Sequence, residues 1–219
     1  MDVGGPLVKE SLVTEVARRL RDLILSGQLP PGMRLHQEAL SQSLGISRTP
    51  MRQALALLVE EGFVDRSPKS QYTVATLDRE SLYDLYLVRR ELDGLAAELA
   101  AERRTEQDLQ ALEAELAIME DADPHQWLVH HQRFHLLIYA ASRNPHLRRS
   151  ENTVLLSTRL FHPQLTAHDA RRTASFQEQR RIWEAIAAQD GARAREEARE
   201  HITQAMAVLY PEPRRRTSS

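Results

Sequence analysis

Past Thr76 the sequence repeats apolar residues at helical spacing almost to its end, and residues that start helices mark most of the breaks. Thr105 and Asp108 have capping-box spacing, Asp123-Pro124 and Asn144-Pro145 are cap-plus-proline pairs, and Asp190-Gly191 separates the last two segments. This punctuation predicts helices over about 78–103, 106–120, 124–142, 145–165, 174–189 and 191–209. Amphipathic helices with short connections bury their apolar faces against one another. Residues 77–210 are therefore expected to form an all-α antiparallel bundle, and "PEPRRRTSS", residues 211–219, a disordered tail.

Residues 1–76 have a different character. Leu12, Val16, Leu20, Leu23 and Ile24 recur at helical spacing, and Gly27 stands where a C-terminal cap would. "LPPGMRL" reads as a turn, because two prolines remove backbone donors. A short second helix carries Leu40 and Leu44 and ends at Gly45. In "GISRTPMRQAL", Ser47 suits an N-cap and Pro50 is tolerated in the first turn of a third helix. Met51, Leu55, Leu58 and Val59 form its apolar stripe up to Gly62, and "FVDRSPKSQYTV" reads as a small β-hairpin. Helix, turn, helix, hairpin is the order of a winged helix-turn-helix, so the expected fold is mainly α, with this module ahead of the bundle.

With Met51, Leu55 and Leu58 inward, Arg48, Thr49 and Arg52 are left outward at the N-terminus of the third helix. Arg48 and Arg52 are four apart and share a face. Paired guanidinium groups there suit guanine edges or phosphates, and Thr49 suits a phosphate oxygen beside the positive end of the helix dipole. Ser47 and Gln53 lie beside them, while Arg34 on the preceding turn and Lys69 at the hairpin tip flank the patch. Residues 1–76 hold 9 Lys or Arg against 8 Asp or Glu, a net of +1, and the whole chain carries −2. Attraction to a polyanion must be local, and a single copy should bind modestly.

The bundle carries polar residues on inward faces. In "HQWLVHHQRFHLLIYAAS", Leu128, His131, His135 and Ile138 follow helical spacing; two imidazoles at i and i+4 suit one metal ion or a hydrogen-bonded core. Gln179 stands one turn before Ile182 and Trp183, and His201 lies on the side of Ala198 and Ala205. His130 is expected to face solvent, and His125, His146 and His162 to lie at the surface. On the first bundle helix Leu85, Val88, Leu92 and Leu95 read as the core stripe, with Arg89 at its margin. An intrahelical Arg89–Asp93 pair and a ligand role for Arg89 both fit.

The stretch from Arg34 to Leu58, with "SRTPMRQAL" inside it, resembles the DNA-binding domain of GntR-type transcriptional regulators. The resemblance implies operator contacts at Arg34, Arg48, Thr49 and Arg52 and a wing that reaches the minor groove. The family's usual glutamate is Gln53 here, and "SPKSQY" lacks the usual wing glycine. From about Leu77 to Leu209 the chain resembles the FCD domain of the FadR-like branch, a helical bundle that takes small metabolites, often carboxylates, and in many members a divalent metal. The family's aspartate falls at His131, its first histidine at His135, and its later pair at Gln179 and His201, which keep the separation of 22. Three imidazoles would suit zinc or nickel better than magnesium or calcium, with Gln179 a weak or remote ligand. The resemblance further implies effector contacts at Arg89 and Asn144.

The chain has no cysteine, which removes disulfides and thiolate metal sites, and "MDVGGPLVKE" lacks an apolar signal core. A cytoplasmic protein is expected. The competing reading, a metal-dependent HD-type hydrolase, rests on His168-Asp169 in "AHDARR", and the sequence has no G-x-S-x-G elbow, phosphate loop or H-E-x-x-H zinc helix. The expectation is a non-enzymatic, metabolite-responsive regulator, a repressor that binds a palindromic operator as a homodimer.

Overall fold

The computed structural model describes residues 12–76, 78–157 and 169–209. The chain forms two compact units, Met1–Thr76 and Leu77–Ser219. The first contains α1 (Leu12–Leu25), β1 (Arg34–Leu35), α2 (Gln37–Leu44), α3 (Arg48–Glu60), β2 (Val64–Arg66) and β3 (Tyr72–Val74). α1 buries Val16, Ala17, Leu20 and Ile24 and packs on α3, which buries Met51, Ala54, Leu55 and Leu58. Between α2 and α3 the chain turns at Gly45, whose φ of 65° is left-handed and whose N–H closes onto the α2 carbonyls. A side chain there would be strained.

The sheet has three strands in the order β1-β3-β2, all antiparallel, with Arg34 opposite Thr73 and Val64 opposite Val74. The hairpin reading therefore lacked β1, which lies in the stretch read as a turn. Two residues are too few to show alternation. At the tip between β2 and β3, Ser70 adopts φ 56°, taking the left-handed position that a glycine would otherwise fill. Ser47 does stand at the N-cap of α3, with extended backbone, but its hydroxyl makes no capping bond.

The second unit contains α4 (Arg79–Arg103), α5 (Glu106–Asp121), α6 (Pro124–Ala141), α7 (Pro145–Arg148), α8 (151–157), α9 (Asp169–Ala187) and α10 (Gly191–Leu209). The caps behave as their chemistry requires. Thr105 and Asp108 form a reciprocal capping box, Asp123 accepts from the Gln126 N–H, and Asn144 accepts from the His146 and Leu147 N–H groups. The helix expected over 145–165 is instead broken after one turn, with Ser150 donating its N–H to Leu147 three residues back. Helix α9 begins at Asp169, five residues before the expected start. His162, His168, the last part of the expected 145–165 helix and the tail 211–219 lie outside the described residues.

Helix α4 pairs most extensively with α10 and also packs on α6 and α9, while α5 packs on α6 and α9. Buried alanines recur on both helices, Ala97 and Ala100 on α4 and Ala194 and Ala198 on α10. A Cβ added at Gly94 would stand 2.7 Å from Arg199 Cγ. The inward face of α4 differs from the expected stripe. Val88 is 54% exposed and Leu85 is half-buried, whereas Leu82, Tyr86, Arg89, Asp93 and Ala96 are buried. Arg89 is thus interior rather than marginal, because Asp93 and Ser157 accept from its Nε and Nη1 there. Among the described residues no helix is long and apolar enough to cross a membrane.

Candidate DNA-reading face and buried histidine site

Burial of Met51, Leu55 and Leu58 turns the opposite side of α3 to solvent, so Arg48, Thr49, Arg52 and Gln53 are all exposed. Ser47 is exposed at the start of the same helix, and because its hydroxyl does not cap, the first N–H groups of α3 keep their capacity for an oxygen ligand. Arg34 is exposed on edge strand β1, and Lys69 is exposed at the hairpin tip. The structure adds a contact that spacing did not suggest: Arg48 is paired with Glu38 of α2. Both side chains are largely exposed, so this is a weak, exchangeable pair.

In the helical unit, α6 and α10 bring His131, His135 and His201 together, each about 3% exposed, with one potential ligand atom from each within 4.8 Å of the others. Their ring centroids are 4.8, 5.1 and 5.6 Å apart. Trp127 lies against His131 at 4.6 Å between ring centroids. His201 Nδ1 is 2.7 Å from Glu178 of α9, and His135 Nδ1 is 3.4 Å from Asp93 of α4. Asp93 also accepts from Arg89 Nε at 3.2 Å and from the Tyr139 hydroxyl at 2.7 Å. Arg171 makes a two-pronged contact to Glu178 at 2.7 and 2.8 Å.

Burial and the charged or hydrogen-bonding partners together fix the charge states. It would raise the Asp93 carboxyl, but Arg89, His135 and Tyr139 outweigh it and hold the pKa at about 2. Glu178 is likewise held at about 2, its burial outweighed by hydrogen bonds from His201 and Arg171. Burial, then the Arg89 charge, pushes His135 down to about 4 against the pull of Asp93. Burial also lowers His201, with Glu178 opposing. At neutral pH both imidazoles are neutral beside charged carboxylates, the protonation state that metal ligation requires.

The remaining sites fall as follows. Gln179 is fully buried on α9, and neither of its amide atoms has a hydrogen-bond partner among the described residues. Arg89 gives Nη1 to Ser157 at 3.2 Å, while its Nη2 has no such partner; the arginine lines one cavity with Tyr86, Trp127, His131, Arg171 and His201. The Asn144 oxygen is committed to capping α7, which leaves its amide N–H groups for any ligand. His130 does not face solvent as expected; it is largely buried and 2.6 Å from Glu115 of α5. His146 is exposed. Sequence reasoning missed Glu178, Arg171, Tyr139 and Ser157, which lie on three different helices. Only Glu178 carried a signal, as the neighbour of Gln179.

These two units match two family models. The model for the gntR family of bacterial regulatory proteins matches residues 12–74, and that for the FCD domain matches residues 84–204. The HTH-type transcriptional regulator LutR of Bacillus subtilis (strain 168) is 30% identical over 210 residues, 85% of this chain and 96% of that protein. The HTH-type transcriptional regulator McbR of Escherichia coli (strain K12) is 33% identical over 145 residues, 64% of this chain and 66% of the relative. A solved structure of E. coli McbR/YncC superposes with a TM-score of 0.77 at 28% identity, covering 93% of this chain and 99% of that one. The chain belongs to the gntR family and carries an FCD domain as its effector-binding unit. It is a transcriptional regulator and not an enzyme, which sets aside the hydrolase reading.

Proposed function

We propose that this regulator is a cytoplasmic repressor that binds a palindromic operator as a homodimer and releases it when a small carboxylate occupies the helical unit. The observation that carries the DNA half is the exposed set Arg48, Thr49, Arg52 and Gln53 on α3, backed by the buried Met51, Leu55 and Leu58. In this reading Arg48 exchanges Glu38 for a base edge or a phosphate, Arg52 reads the neighbouring base, and Ser47, Thr49, Arg34 and Lys69 hold phosphates. A reading unit with a net of +1 gains little from general attraction, so two copies on a two-fold site supply the affinity.

In the helical unit, His131, His135 and His201 would hold a divalent transition metal, zinc or nickel, with Gln179 of α9 a weak or remote ligand. The residues fit such an ion: the imidazoles are buried and close, His135 Nε2 has no hydrogen-bond partner among the described residues, and the donor set is all nitrogen. When bound, the ion supplies positive charge and an open coordination position for an anionic ligand. Arg89 receives the effector's carboxylate through Nη2, and Trp127 bounds the cavity.

Selection of the purified protein on a randomised duplex pool tests the regulator reading. A palindromic consensus is expected, and Arg48→Ala and Arg52→Ala should each weaken binding by about 10- to 100-fold, as loss of a base-reading arginine does. Unselective recovery, or unchanged binding by both variants, defeats it. In run-off transcription from the selected operator, addition of effector should restore transcript if the protein is a repressor. Metal analysis of chelator-free protein with no stoichiometric zinc, nickel, cobalt or manganese would remove the metal from the scheme.

A further inference from the structure

Two carboxylates stand directly behind the histidines, and each is gripped from its other side by an arginine. Glu178 lies between His201 Nδ1, at 2.7 Å, and the Arg171 guanidinium, at 2.7 and 2.8 Å. Asp93 lies between His135 Nδ1, at 3.4 Å, and Arg89 Nε, at 3.2 Å. The result is two rows, Arg171–Glu178–His201 and Arg89–Asp93–His135, that start on separate helices and end at the same place. Both arginines line the cavity that His131 and His201 also line.

A carboxylate at Nδ1 decides what the opposite nitrogen can do. A neutral imidazole carries one proton, and an ionised carboxylate only accepts, so the proton resides on Nδ1 and the lone pair on Nε2. His135 Nε2 is buried and has no hydrogen-bond partner among the described residues, which is the state expected of a nitrogen kept for another ligand. If the rows served only to neutralise buried charge, the arginine–carboxylate pairs would suffice. The histidines would not be needed, and a buried nitrogen would not be left bare. The two amide atoms of Gln179, next to Glu178 in sequence, are also buried without partners among the described residues.

We propose that Glu178 and Asp93 are positioning residues of the histidine centre: they set the tautomer and ring direction of His201 and His135 so that both present Nε2 to one divalent transition metal. This rests on the metal reading above. The carboxylates act behind the imidazoles, through orientation, and their own charges are matched by Arg89 and Arg171. Such residues, when replaced, cost about 10- to 100-fold in metal affinity.

The test uses the full-length protein stripped of metal. Nitrogen chemical shifts of its histidines should show His201 and His135 protonated at Nδ1 and bare at Nε2 at pH 7.5; the opposite tautomer overturns the proposal whatever the variants do. Cobalt(II) titration followed by visible absorption, with zinc(II) competition, should give Glu178→Gln a zinc affinity about 10- to 100-fold below wild type and an altered cobalt spectrum, with partial recovery in Glu178→Asp. Asp93→Asn should act in the same direction. Wild-type zinc affinity and cobalt spectrum in Glu178→Gln overturn the positioning role alone. Wild-type protein that takes up neither cobalt nor zinc overturns this inference together with the metal reading beneath it.

Discussion

His135 and His201 are neutral in the fold because burial outweighs the carboxylates beside them, and this gives the metal-free protein a defined acid sensitivity. An unfolded chain accepts protons on these residues from about pH 6.5 downward, whereas folded His135 resists until about 4. The stability it contributes is therefore complete above 6.5 and is lost as the pH falls toward 4, at about 1.4 kcal/mol per unit of pH. Asp93 and Glu178 titrate near 2 and hold their charge throughout that window. Urea denaturation between pH 7 and 4.5 should show this decline, and His135→Gln should make it shallower; a flat wild-type profile would contradict the neutral assignment. At this scale the sequence was legible where a pattern is local. Helical spacing alone puts His131 above His135. It could not reveal that Asp93, one turn from Arg89, also reaches His135 on another helix, because that depends on how α4 and α6 pack.

Elements were most legible where a cap starts them. Thr105, Asp123, Asn144 and Asp190 each begin a helix close to the expected residue, since a side chain that satisfies orphan N–H groups is written in adjacent positions. The break between α7 and α8 has no proline or glycine to announce it, and β1 is too short to show a period. The stripe on α4 was displaced for a different reason: reasoning from apolar residues alone assigns Val88 inward, while the paired Arg89 and Asp93 took the interior. The α4–α10 seam yields a sharp prediction. Gly94→Ala gains about 1 kcal/mol in helix propensity, but its Cβ would meet Arg199 Cγ at 2.7 Å and the Arg195 carbonyl at 3.3 Å. Overpacking of that kind costs about 1–3 kcal/mol, so a net loss of about 1 kcal/mol is expected in thermal or urea denaturation. A variant more stable than wild type would show that α10 can move aside.

Across the whole molecule, the expectation that one part reads DNA and another senses a metabolite matches the gntR and FCD assignments. The effector itself is not legible, because its recognition depends on side chains gathered from separate helices. What those side chains sum to is instructive. Arg89 and Arg171 contribute two positive charges, Asp93 and Glu178 two negative ones, and the histidines that the pKa shifts describe contribute none, so this interior cluster is electrically balanced. A dication entering it would leave two charges uncompensated in a poorly screened interior. The balance is restored most simply by a doubly charged anion. Calorimetric titration should therefore find that zinc tightens binding of a small dicarboxylate such as succinate, and that the dicarboxylate tightens zinc by the same factor, as linkage requires. Independent binding of the two would break the connection. The neutral cluster couples the two ions: each offsets the charge that the other brings, and the pair together restores neutrality.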